Sequence, residues 1–523
     1  MKKVLFLFPL SFFLSFILLD GTKDNYAALI TTSDLKANLS VIASDAYEGR
    51  ETGERGLDMT ADYIAAQFKS YGIPELSTGG YFQKVPLKKY VPGNGYVECE
   101  GKKFIFGKDF YYTSGIEDGK TNTTELVFAG YGIQDSLYKD YQAGTKPGID
   151  VKGKTVLMLS GEPKDKKGNS LITGTQELSS WSSGRRRKLN EAKKRGALAV
   201  LMILPDYASK YAENAHYIDA PTLKLDDPDI AVRDTNAAPS DIPVLYITTE
   251  MADALLKSGG SSSRIFTGKK ISHADVQTKI LINIQRHSVQ ANSENVLGYL
   301  EGSDLKEQLI VFSAHMDHLG KDSSVVFNGA DDDGSGTVAV LQLAKAFAKA
   351  KSEGHGPRRS ILFITMTGEE KGLLGSKWYT SHPVFPLANT VCDLNIDMIG
   401  RTDTLHKVNK NYVYVIGSDM LSTELKKIIE TNNSAHDKLS LDYRYDDPND
   451  PNSYYTRSDH YNFAKNNIPV AFFFNGTHAD YHKETDEVDK IDFDLLALRA
   501  KLVFCSAWDI ADRDERLIVD KVK

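Results

Sequence analysis

Cysteine is scarce: Cys99, Cys392 and Cys505 are the only three in 523 residues. An odd count this low excludes a disulfide-scaffolded fold, and all three lie in or beside apolar, strand-like stretches, where buried free thiols are common. Long apolar runs are scarce as well. The single example, residues 4–19, follows Met1-Lys2-Lys3 and is broken only by Pro9, Ser11 and Ser15. It is shorter than the roughly 20 residues a spanning helix prefers and has the layout of a signal peptide. Residues 1–20 are therefore expected to direct export, to the periplasm or outside the cell, with no integral membrane span after their removal. Neither a clean cleavage site nor a lipidation cysteine follows Leu19, so retention as an N-terminal tether is the alternative. Blocks of like charge are missing too: the net charge of −7 is spread along the chain, which argues against nucleic acid or an anionic membrane as the main partner. The absence of fixed-period repeats and low-complexity tracts excludes solenoids and propellers.

What the chain does have is 41% hydrophobic, 10% aromatic and 25% charged residues, enough to build a real core. Its length exceeds one ordinary core and predicts two units. Between residues 293 and 511, short apolar runs alternate with helix-period segments, the pattern of an α/β domain with a largely parallel sheet. Four runs, 309–313, 361–365, 392–396 and 469–474, are each followed by polar, metal-capable side chains. In open α/β sheets such residues converge beyond the carboxyl ends of the strands. The stretch from about 99 to 284 carries none of that chemistry but has strand-like runs of its own at 155–159, 197–204 and 242–247, so a small domain is expected there as an insertion. Its basic segment 185–195 reads as a solvated helix face. Upstream, Ile64, Ala65, Phe68 and Tyr71 recur at helical spacing within 60–71.

The chemistry-bearing segments come in order. Ser313-Ala314-His315-Met316-Asp317-His318 places His315 at a strand end, with Asp317 on the same face if the strand continues, where its carboxylate would accept the other ring N–H and fix the tautomer. Asn328-Gly329-Ala330-Asp331-Asp332-Asp333-Gly334 sets three consecutive carboxylates that repel one another unless a cation sits among them; a solvated, calcium-binding or capping turn is the alternative. Gly368-Glu369-Glu370 offers two side chains that diverge, one able to bind metal while the other faces a water. Asp397, in the apolar stretch 395–400, needs a partner to be buried. His478-Ala479-Asp480-Tyr481-His482 follows the last strand and supplies a further imidazole from the same sheet edge. A mixed imidazole and carboxylate shell suits zinc, and five ligands suit two ions sharing a carboxylate.

At these segments the sequence resembles the M28 family of metallopeptidases, in the form with an inserted protease-associated domain. The resemblance covers Asp45-Ala46-Tyr47-Glu48-Gly49-Arg50, the segments above, Arg457-Ser458-Asp459-His460 and Tyr481-His482. It implies an α/β catalytic domain over 30–95 and 288–515, with a mixed, largely parallel sheet flanked by helices, and a protease-associated domain over 96–287 that restricts which peptides enter. It also implies two zinc ions, with Asp332 bridging, His315 and Asp397 completing one site, and Glu370 and His482 the other. Glu369 is then the general base, Asp317 orients His315, Tyr481 stabilises the oxyanion, and the Asp332–Asp333 peptide is cis. His318, His460 and His478 are given no ligand role. The implied activity is a zinc aminopeptidase acting on peptides, with a carboxypeptidase, a glutaminyl cyclase or a non-catalytic receptor as alternatives. The acidic loop 446–452 reads as solvated rather than calcium-binding.

Overall fold

In the computed structural model, which describes residues 23–521 except 94, 113–120, 142–147, 184, 219–220, 229, 231–241, 260–273, 285 and 448–449, the chain divides into two units. One holds the chain up to Pro86 and from Ala291 onward, the other Leu87–Gln290. The expected signal segment 1–20 lies outside the described residues, as do two positions of the loop 446–452. The divisions, at 86/87 and 290/291 in place of 95/96 and 287/288, each fall within an uninterrupted strand, Phe82–Pro92 and Arg286–Leu300, with no turn signal to mark them.

The first unit is built on strands β1 (Phe82–Pro92, as far as Pro86), β2 (Arg286–Leu300, from Ala291), β3 (Leu305–His315), β4 (Arg359–Met366), β5 (Thr390–Ile396), β6 (Tyr412–Ile416), β7 (Ser440–Asp442) and β8 (Val470–Phe474), in the spatial order β7-β6-β8-β5-β3-β4-β2-β1. β3 runs parallel to β4 and β5, and β5 parallel to β8. β2 and β6 pair antiparallel with β4 and β8, so the sheet is mixed with a parallel centre.

Alternation explains why the central strands are apolar on both faces. Ile310, Phe312, Ile361 and Phe363 pack into one core with the Gly336–Ser352 and Phe493–Asp512 helices. Leu309, Val311, Leu362 and Ile364 face the other way, against Tyr379 and Phe463. The helix Arg55–Ser70 adds Leu57, Ala61, Ile64 and Phe68 to the first core. Cys99 and Cys392 lie in strands, but Cys505 is in the middle of the Phe493–Asp512 helix and only 1% exposed. A short apolar run does not by itself distinguish a strand from a buried helix.

The second unit has its own sheet, with a parallel centre of Thr121–Phe128, Thr155–Leu159, Ala199–Ile203 and Val244–Ile247. Leu126, Leu157 and Leu201 face one core, Val127, Val156 and Val200 another. The basic helix Arg185–Lys194 departs from a purely solvated face: Lys188 is 2% exposed, and its ammonium donates to the carbonyls of Leu159 and Gly161.

Because β3, β4, β5 and β8 are parallel, their carboxyl ends, His315, Met366, Ile396 and Phe474, open on the same edge of the sheet. The Gly336–Ser352 helix starts beside that edge. A Cβ on Gly336 would lie 2.1 Å from the Ile396 carbonyl oxygen and 2.4 Å from Asp333 Oδ1. Gly336→Ala is therefore expected to cost about 1–3 kcal/mol of stability through overpacking. Urea denaturation measures it, and an unchanged midpoint would contradict the close packing of helix start on strand end.

Candidate metal centre

Both oxygens of Asp332 are in use, each toward a different imidazole. Oδ1 lies 3.3 Å from His315 Nε2, and Oδ2 lies 3.1 Å from His482 Nε2. His315 Nε2 is also 3.5 Å from Asp397 Oδ1, while His482 Nε2 is 3.2 Å from Glu370 Oε1. The five side chains thus form two clusters joined by one carboxylate. Glu369 stands a little apart, with Oε2 3.9 Å from His315 Nε2. Tyr481 stacks on the His482 ring at 3.9 Å, and its hydroxyl accepts from Arg457 Nη2 at 3.2 Å. Met398, Tyr454, Phe472 and Phe474 line the apolar end of the same cleft.

Each group is held from behind. Asp486 Oδ2 accepts the main-chain N–H groups of Asp331 and Asp332 at 3.0 and 3.1 Å. Asp333 turns away from the cleft: Oδ1 accepts from Gly336 and Met398, and Oδ2 from His315 N. The Asp332–Asp333 peptide is cis. Ser458 donates to Asp397 Oδ2 at 2.7 Å and accepts from Asn395, the partner that Asp397 needed in its apolar stretch. The expected orientation of His315 takes a different route. Its Nδ1 is 3.0 Å from the main-chain oxygen of Asp317 and 3.8 Å from the carboxylate. β3 ends at His315, so strand alternation does not extend to Asp317. The Asp317 carboxylate instead accepts from Glu369 N and the Thr52 hydroxyl, which places it behind the glutamate.

Burial alone raises the proton affinity of carboxylates, and the neighbours decide which ones escape. Burial pushes Glu369 well above the usual range, assisted by Glu370, Asp397 and Asp459, with His315 opposing. Burial also raises Asp333 strongly. Against the same penalty, the His315 and His482 contacts hold Asp332 well below its usual value, and His318 and His482 hold Glu370 at about 2. The imidazoles respond in kind. His315 is raised well above normal, burial being outweighed by Asp397, Glu369 and Asp332, and His482 is raised to about 10, burial being outweighed by Asp332 and Glu370.

The residues fit a divalent cation on a further observation. Asp332 Oδ2 and Glu370 Oε1 are buried without a hydrogen-bond partner among the described residues, although ring nitrogens stand 3.0–3.2 Å away. Lone pairs aimed at a common point rather than at one another produce that pattern. His315, Asp332 and Asp397 form one group with ligand atoms mutually within 4.8 Å, and His318, Asp332 and Glu370 form another.

Sequence reasoning missed His318, whose buried ring belongs to the second group, and the work of Arg50. That guanidinium, 0% exposed, donates to the carbonyls of Ile42, Met316, Asn328 and Gly329, tying together the two loops that carry His315 and Asp332. No local pattern signals this, since its acceptors lie up to 279 residues away. His460, given no ligand role, stacks on Phe472, and burial lowers it to about 3. His478 pairs with Asp331 through Nε2 at 3.1 Å.

Residues 295–505 match the profile of Peptidase family M28. Over 211 residues the chain is 29% identical to a probable leucine aminopeptidase of Arthroderma otae, covering 39% of this chain and 55% of that protein. Over 233 residues it is 27% identical to aminopeptidase YwaD of Bacillus subtilis, covering 43% and 46%. A probable glutamate carboxypeptidase AMP1 of Arabidopsis thaliana is 26% identical over 324 residues, covering 55% and 39%. The chain spans 39% to 55% of the length of these curated relatives. Among solved structures, the aminopeptidase from Aneurinibacillus sp. strain AM-1 superposes with a TM-score of 0.54 at 20% identity, covering 96% of this chain and 99% of the other. The zinc aminopeptidase BSAP from Bacillus subtilis gives a TM-score of 0.50 at 20% identity over 94% and 98%. These two likenesses establish the α/β fold.

The electrostatics predict how the metal-free protein responds to pH. A histidine raised to about 10 on folding contributes stability that is full below its unfolded value near 6.5 and lost as pH rises through about 10. The raised Glu369 and Asp333 act in the same direction. The melting temperature of chelated protein should therefore fall between pH 6.5 and 10, and zinc loading should reduce that fall because cations replace the protons. Equal slopes for the two forms would contradict the account.

Proposed function

We propose that this chain, a family M28 peptidase over residues 295–505, is an exported zinc aminopeptidase that hydrolyses residues from the amino end of peptides. The observation that carries the reading is the division of Asp332, with one oxygen toward His315 and the other toward His482. His315 and Asp397 would hold one zinc ion, Glu370 and His482 a second, and Asp332 both. Zinc bound there supplies Lewis-acid polarisation of a carbonyl and makes a water acidic enough to ionise near neutrality.

The side chains divide the remaining work. Glu369 is 11% exposed and proton-avid, which suits a group that takes the proton of the attacking water and delivers it to the departing amine. Asp317, through its bond to Glu369 N, keeps that carboxylate in place. The Tyr481 hydroxyl, held by Arg457, donates to the oxyanion as the carbonyl becomes tetrahedral. Met398, Tyr454, Phe472 and Phe474 receive the side chain of the terminal residue. Among the described lining residues Arg457 supplies the guanidinium, whose Nη2 donates to Tyr481.

Export rests on the apolar run of residues 4–19. The Leu87–Gln290 unit, inserted between the two segments of the other and carrying its own cores, is read as a protease-associated domain.

A panel of free and N-acetylated peptides, assayed with wild type and Glu369→Gln alongside their zinc content, tests the reading. Wild type should cleave free-amine peptides and lose that activity on N-acetylation. Glu369→Gln should keep its zinc and lose about 10²–10⁴-fold in turnover. Cleavage from the carboxyl end or cyclisation of an N-terminal glutamine would contradict the substrate assignment, and near-normal turnover of Glu369→Gln would contradict its role.

A further inference from the structure

We infer that His318 is a third imidazole of the metal centre and a direct ligand at the second site, beside His482. The inference rests on the reading of this cluster as a zinc centre.

His318 Nδ1 lies 3.0 Å from Glu370 Oε1 and 3.9 Å from Asp332 Oδ2. These are the same two oxygens that His482 Nε2 approaches at 3.2 and 3.1 Å. Two rings from distant segments thus converge on one pair of carboxylate oxygens, their centroids 5.9 Å apart and their planes nearly perpendicular. His318 is 0% exposed, its Nδ1 faces the Glu370 and Asp332 carboxylates, and its Nε2 has no hydrogen-bond partner among the described residues. Nδ1 is aimed at the same carboxylate oxygens as His482 Nε2, so a cation seated on the Glu370–Asp332 pair would lie within reach of both rings and leave no buried lone pair without a partner on that side. Its position is also constrained: the main-chain N–H donates to the Arg50 carbonyl at 3.1 Å, and Gly329 packs so closely that a Cβ there would lie 2.5 Å from the ring. His482, by contrast, has 27% of its side chain exposed. The second site therefore has a buried nitrogen ligand on one side and a solvent-facing one on the other, and four protein ligands in place of three.

Full-length protein labelled with ¹⁵N in its histidine rings and loaded with ¹¹³Cd tests this directly. Three imidazoles, those of His315, His318 and His482, should show metal–nitrogen coupling, and His318→Ala should remove one of them and weaken the second ion by tenfold or more in chelator competition. Coupling at His315 and His482 alone would overturn the inference and leave His318 a positioning residue. Coupling at no imidazole would instead overturn the metal reading on which it rests. Should His318→Ala not fold, the wild-type spectrum alone decides.

Discussion

Everything at the open edge of the sheet depends on one electrostatic constraint: more carboxylates are buried around Asp332 than the protein supplies with fixed positive charge. Glu369, Glu370, Asp333 and Asp397 crowd about His315, His318 and His482. Arg50, the nearby buried guanidinium, feels Asp332 and Asp333 but donates all its described hydrogen bonds to main-chain carbonyls. Without further cations the cluster holds protons instead, raising Glu369 and both facing imidazoles. Two divalent ions would reverse that state for the ligands while leaving Glu369 free to exchange its proton.

The fold supports this crowding by distributing it. Four parallel strand ends deliver side chains to one edge, so no single loop has to carry all the charge. The polar supports are main-chain as often as side-chain: Asp486 grips two N–H groups of the triple-aspartate segment, Asp333 grips three more, and the Asp317 carbonyl takes the His315 ring. Such contacts lock direction as well as position, which metal ligands require.

Much of the architecture could be read from the residues in order. The apolar runs before His315, Glu369, Asp397 and His482 became β3, β4, β5 and β8, because continuous apolar runs of that length are what doubly covered central strands need. The five proposed ligands converge as the order of motifs implied. What the chain concealed was anything dependent on distant partners. Asp317 was expected to reach His315 with its carboxylate, and the strand's end two residues earlier sends that carboxylate to Thr52 and Glu369 instead. Lys188 reads as one more charge in a basic run, yet its helix turns it inward onto two carbonyls. His318 looks like a bystander in sequence because its neighbours in space, Glu370 and Asp332, come from other loops.

The central claim is that one carboxylate is shared between two cation sites, and the most direct measurement is zinc stoichiometry in wild type and Asp332→Asn after dialysis against a weak chelator. Neutralising the shared residue should affect both sites at once, so two ions per wild-type chain should fall toward none in the variant while the fold, followed by circular dichroism, is retained. A folded variant that still holds two ions, or that loses only one, would contradict the bridge.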